Sequence, residues 1–227
     1  MQVPKGYLKF AGWMLLIGGL MGTVGQAIHL EDVPASVDEI PSFLTGAVNI
    51  HVLLAFASTF ILMGLPAVYL IQAHKLKWWN WLGFPLLFIG LMLEIFHGPV
   101  QIISYPIMFG YVHNADDLQK LSEQINNLSV DRFPLQLLIL IPILPGIILG
   151  ILLLGINALQ AKVFPKAAGI VSLVVLALLI VGFFITTGPF HNTFMYVHLI
   201  FVTFGGFIVF GRIGETRDYA HINHVST

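Results

Sequence analysis

Residues 137–159 read "LLILIPILPGIILGILLLGINAL", twenty-three residues with no charge and a single amide, Asn157. At 1.5 Å per residue such a run crosses a hydrocarbon core of about 30 Å. Comparable runs recur along the chain, so the reading of this one extends to the rest of its 227 residues. Composition agrees: 57% of residues are hydrophobic, 9% are charged and the mean hydropathy is +0.90. A soluble domain carries roughly a quarter charged residues.

Working outward, membrane helices are expected near 7–30, 46–73, 81–108, 133–160, 167–187 and 193–213. They are separated by "EDVPASVDEIPS" (31–42), "QAHKLKWWN" (72–80), the polar run 110–132, "AKVFPK" (161–166) and "TTGPFHN" (186–192). The fold class is all-α, a polytopic membrane protein with one six-helix transmembrane domain over 1–227. The first span, Tyr7 to Leu30, is too long for a signal-peptide core and lacks a small-residue cleavage site, so it is read as a retained helix. Lys5, Lys9, Lys75, Lys77, Lys162, Lys166, Arg212 and Arg217 fall on one side of the spans, against Lys120 and Arg132 on the other. By the positive-inside rule both termini are cytoplasmic, and Trp78, Trp79 and Trp81 form an inner aromatic belt. A polytopic chain with this bias is expected in a bacterial inner membrane.

Within the outer loop 110–132, Leu118, Leu121, Ile125 and Leu128 share one helical face after a start at Asn114, Asp116 and Asp117. A short amphipathic helix over the outer end of the bundle is expected, serving as a lid or a docking surface. Pro142 and Pro145 imply a bend in the fourth span.

The absence of cysteine excludes disulfides, thiolate metal sites, iron–sulfur clusters and covalent CxxCH heme attachment. A net charge of −1 gives no sign of nucleic-acid binding. The histidines are more telling. Counting along the spans places His29, His51, His97 and His198 on four helices in one outer-leaflet layer, His51 roughly 7 Å deep. His191 lies just above that layer, and the inner half of the membrane contains no histidine. Ionisable groups in a membrane are by default functional, and four at one depth point to a shared cofactor or metal site.

In "LMLEIFHGPVQ" (91–101), Glu94 and His97 lie one turn apart with Gln101 a turn further on, and Gly98 and Pro99 thin and bend the helix beside them. Glu94 is read as the catalytic or proton-carrying group, or as a hydrogen-bond partner of a ligand's ring N–H. His29, His51, His97, His198 and Gln101 are read as cofactor-binding, the four histidines also as metal ligands. Imidazoles with one carboxylate and no thiolate suit heme iron, copper or zinc. The runs 51–64 and 198–211 align without gaps, matching His51 with His198, Ser58 with Gly205, Phe60 with Phe207 and Gly64 with Gly211. Such small residues leave a slot for a flat macrocycle or permit close helix packing.

"NIHVLLAFASTFILMGLPAVYLI" and "MYVHLIFVTFGGFIVFG" resemble the heme-ligand helices of the large subunit of heme–copper oxygen reductases and nitric oxide reductases. That likeness implies heme ligation by His51 and His198. The family's adjacent copper histidines and its His-x-His helix have no counterpart here. "EIFHG" is also similar to the Glu-x-x-His helix of heme A synthase, with Gly98 where an arginine usually follows, and this implies Glu94 and His97 at a heme site.

The expected function is therefore a heme-binding membrane redox protein, heme b with a second heme or a copper or zinc ion beside it. It would exchange electrons with quinol in the bilayer or with an external electron-transfer protein, or act on a small gas. A zinc-dependent membrane hydrolase, with Glu94 activating water, is the alternative. A transporter or sensor for metal, heme or protons is a further one, disfavoured because the inner half offers mainly Asn157 and Gln160.

Overall fold

The computed structural model describes residues 3–126, 137–185 and 193–211, apart from the side chains of residues 97, 100, 139 and 140. Its main elements are α1 (Lys5–Ala27), α2 (Ile40–Gln72), α3 (Gly83–Pro99), a π-helical turn (Val100–Ser104), α4 (Tyr105–Phe109), α5 (Ala115–Asn126), α6 (Leu137–Ala161), α7 (Lys166–Gly182) and α8 (Phe194–Phe210). Four continuous stretches, Lys5–Ala27, Val37–Gln72, Trp78–Phe109 and Ile141–Ala161, are long and apolar enough to cross a membrane. Two further apolar helices, α7 and α8, have 17 residues each. Leu20, Phe56, Phe96, Ile107, Ile141 and Phe210 point outward, an arrangement suited to lipid rather than water.

The long helices contact one another in the cyclic order α1, α2, α3, α6, α7, α8 and back to α1. Lipid gives helices little hydrophobic reason to associate, so small residues that let backbones approach decide which faces meet. Glycines of α1 do this on two stripes. A Cβ on Gly18 or Gly25 would strike α2, at the Ala57 carbonyl and the Leu54 side chain, both at 2.7 Å. A Cβ on Gly12 or Gly19 would strike α8, at Ile208 and Val202, again at 2.7 Å. Opposite them, Gly205 of α8 lies against the Leu16 backbone and Gly64 of α2 against the Ala11 carbonyl. Gly90 and Gly146 meet in the same way between α3 and α6. The interior of the ring is filled by Leu15, Ile61, Leu87, Leu91, Ile151, Leu154, Phe201 and Phe204.

The antiparallel run of the helices divides the polar residues. Lys5, Lys9, Lys75, Lys77, Lys162 and Lys166 sit at one end, the lysine end. Glu31, Asp32, Asp38, Glu39, Asp116, Asp117 and Glu123 sit at the other, the carboxylate end, joined there by Lys120 alone among the described cations.

At the carboxylate end the helix boundaries differ from those expected. α2 starts at Ile40 instead of near residue 46, with Pro41 in its first turn, a position where a missing N–H costs nothing. The added turns bury Ile40 and Phe43 against Tyr105, Phe109, Val112, Leu118 and Leu121, contacts a solvated loop would forfeit. α7 ends at Gly182 rather than near 187, and α1 at Ala27 rather than Leu30. The third span is interrupted by the π-turn directly after Pro99, whose ring cannot continue regular α-helical hydrogen bonding. α6 passes through Pro142 and Pro145 as one helix. The amphipathic segment is present as α5: the Asn114 side chain caps it by accepting from the Asp117 N–H at 3.0 Å, and Leu118 and Leu121 are buried on α2 and α4.

Candidate functional site

Between the carboxylate ends of α1, α2 and α3 lies a cavity of about 220 Å³. Gln26 on α1, His29 and Asp32 just beyond it, His51, Leu54, Ala55 and Ser58 on α2, and Glu94, Gly98 and Gln101 on the third span line it. It offers room for an ion and several waters.

His51 is 8% exposed. Its Nδ1 lies 2.7 Å from the Ala47 carbonyl one turn back. A carbonyl only accepts, so Nδ1 carries the proton and Nε2 keeps its lone pair. That lone pair faces Nε2 of His29 at 3.1 Å, with the two rings 77° apart. As a neutral pair, His29 Nε2–H donates to His51 Nε2. The same spacing suits a shared ion. Ligand bonds of about 2.0–2.1 Å place two nitrogens about 2.9 Å apart at a right angle, about 3.3 Å apart at the tetrahedral angle and about 4.1 Å apart in a trans pair. His29 and His51 thus match neighbouring ligands of one ion and are too close for the two axial ligands of a heme.

Glu94 extends the cavity toward the middle of the bundle. Ser58 Oγ donates to its Oε2 at 3.2 Å, so the small residue opposite Glu94 serves as its hydrogen-bond partner. At the mouth, Gln101 Nε2 and Tyr105 Oη donate to the same oxygen of Asp32, Oδ1, at 3.2 and 3.4 Å. Gln101 sits in the π-turn, a feature common at functional sites.

The structure thus brings together His29, His51, Glu94 and Gln101 of the expected residues. His198 is not among those lining the cavity. It is 2% exposed, its ring nitrogens make no well-formed hydrogen bond beyond a weak approach to the Phe194 backbone one turn back, and the ring rests on Gly22 of α1. The contact between α8 and α1 turns it onto a different face. The side chain of His97 and all of His191 lie outside the described residues. The slots inferred from small residues are occupied: Gly64 and Gly205 receive the backbone of α1. Sequence reasoning missed Asp32. Its signal was the acidic, lysine-free connection 31–39 immediately after His29.

Among the described residues, no three His, Cys, Asp or Glu side chains converge closely enough to hold an ion by themselves. An ion here would rest on the two imidazoles and complete its shell with water. No family profile, characterised protein or solved structure matches the chain.

Proposed function

We propose that the chain is a six-span integral membrane metalloprotein, both termini cytoplasmic, holding one transition-metal ion at the outer end of α1–α3. The observation that carries this reading is the His29–His51 pair. Two Nε2 atoms at 3.1 Å face each other in a cavity, one with its tautomer set for ligation by the Ala47 carbonyl. With nitrogen and oxygen donors and no sulfur, the site favours zinc or copper over magnesium or calcium. Such an ion supplies Lewis acidity at open coordination positions. Glu94, held by Ser58, is the group placed to take and return a proton, the arrangement a zinc-dependent membrane hydrolase would use.

Six spans are supported by the length of α7 and α8, 17 residues each, at the short end of the spanning range of ~17–25. The orientation is supported by the lysine end. The absence of native cysteine makes it directly testable: Ser36→Cys should react with an impermeant maleimide from outside intact cells, and Lys75→Cys should not.

The metal reading is tested by purifying the full chain in mild detergent, loading it with zinc or copper, removing excess and measuring bound metal. One ion per chain, lost in His29→Ala and His51→Ala, is the expected result. No retained metal in the wild type overturns it.

A second reading, heme b exchanging electrons with quinol or an external protein, draws support from His198, whose buried imidazole makes no well-formed hydrogen bond. The fit is poor. The cavity of about 220 Å³ falls below the ~300–1,000 Å³ of pockets for drug-sized ligands, and the ring of His198 is stacked against Gly22. An absorption spectrum of the same preparation decides it. A Soret band with sharp reduced α and β bands would establish heme, and a colourless protein after expression with ample heme would exclude it.

A further inference from the structure

The mouth of the cavity carries oxygen donors that the histidine pair does not use. Gln101 is 3% exposed, yet its Oε1 has no hydrogen-bond partner. A buried acceptor left unpaired is costly, so its orientation needs a cause, and Asp32 supplies it. Only the NH₂ end of an amide can face a carboxylate. The Nε2 bond to Asp32 Oδ1 therefore turns Oε1 away from Asp32, on a side chain that lines the cavity. Asp32 itself is exposed and stands among Glu31, Asp38 and Glu39 in a connection without lysine or arginine. An exposed carboxylate and a buried amide oxygen thus share the cavity wall with the two imidazoles.

We infer that Asp32 and Gln101 form a reception site for a divalent cation at the cavity mouth, through which the ion passes from the outer compartment to His29 and His51. This rests on the proposed metal reading and names the side from which the ion arrives. Oxygen donors hold a hydrated divalent ion loosely, while imidazoles prefer the later first-row metals. A gradient from oxygen to nitrogen therefore draws the ion inward. The surrounding carboxylates raise the local cation concentration, an effect that added salt screens.

The test follows Co²⁺ acquisition by the metal-free full chain in detergent, reading the visible cobalt–imidazole bands in a stopped-flow instrument and the final stoichiometry by elemental analysis. Asp32→Asn should load more slowly by about tenfold at low ionic strength, with the gap closing in high salt, and should reach the wild-type endpoint. Gln101→Leu should also load slowly to the same endpoint, and it carries the test if Asp32→Asn does not fold. Wild-type loading rates in both variants would overturn the inference. So would a parallel loss of endpoint stoichiometry, since Asp32 or Gln101 would then be a ligand of the held ion and not of one in transit. Failure of the wild type to take up Co²⁺, Zn²⁺ or Cu²⁺ would instead defeat the underlying metal reading, so the wild-type trace alone separates the two failures.

Discussion

Gly22→Ala tests the placement of His198. A methyl on Gly22 would sit 2.5 Å from both Cγ and Nε2 of the His198 ring, and closer still to Cδ2. The ring is 2% exposed and has no space to retreat without moving α8. Overpacking of this kind costs about 1–3 kcal/mol. At about 2 kcal/mol, and ~2–4 °C per kcal/mol for a chain of this length, the melting temperature in detergent should fall by roughly 4–8 °C. Gly206→Ala on α8 is the control, because a Cβ there meets nothing within 4 Å. The same chemical change should there stabilise by up to about 1 kcal/mol through helix propensity. Adding His198→Ala to Gly22→Ala removes the obstacle, so the pair should couple by about 1–3 kcal/mol in a double-mutant cycle. Additivity of the two changes within about 0.5 kcal/mol would refute the contact. Bound metal should be unaffected by His198→Ala, since the ring does not line the cavity. Loss of metal in that variant would return His198 to the site.

Three further outcomes are expected. Metal retention should fall on acidification, because imidazole must be deprotonated to ligate and protons compete with the ion; retention unchanged between about pH 8 and pH 5 would argue against histidine ligands. Asn80→Ala should lower thermal stability by about 1–3 kcal/mol, because Asn80 Nδ2 donates to Asn157 Oδ1 at a buried site near the lysine end and the change leaves that buried oxygen without its donor; an unchanged melting curve would contradict that bond. Leu121→Ala should cost about 2 kcal/mol, at the low end for a buried leucine, and increase protease cleavage within 110–132 while leaving bound metal intact, because α5 packs on α2 and α4 and lines no part of the cavity; resistance equal to wild type would mean that α5 is held by something else.

Which end of the bundle each histidine occupies was legible, because counting residues along successive antiparallel apolar helices assigns it. Azimuth was not. Whether a histidine at a given depth meets its neighbours depends on which face of its helix is buried, and the glycines of α1 decide that. Gly18 and Gly25 admit α2, bringing His51 to His29, whereas Gly12, Gly19 and Gly22 admit α8 and set His198 against α1. Both stripes are visible in "AGWMLLIGGLMGTVGQ" (11–26) as glycines seven apart. Assigning each to a partner requires the fold. Asp32 was hidden for a different reason. It belongs to a connection with no periodicity, and only the third span, by presenting Gln101 and Tyr105 to Asp32 Oδ1, makes it part of the site.

The small residues that resemble a heme slot show why one sequence signal supported two readings. A serine or glycine facing inward from a membrane helix removes side-chain volume, and either a cofactor or another backbone can take the space. Gly64 and Gly205 are filled by α1, with its Ala11 and Gly12 carbonyls 2.6 and 2.7 Å from where their Cβ atoms would lie. Ser58, at the position aligned with Gly205, is 1% exposed and keeps open space beside it, because Glu94 reaches across to its hydroxyl. A hydroxyl bonded to a carboxylate cannot be closed over by an apolar side chain without leaving an acceptor unpaired. The polar pair therefore keeps the cavity open at this level, while the aligned glycine on α8 serves only to let two helices touch. What distinguishes site from seam in this bundle is a polar partner across the gap, and on that criterion the site lies between α1, α2 and α3.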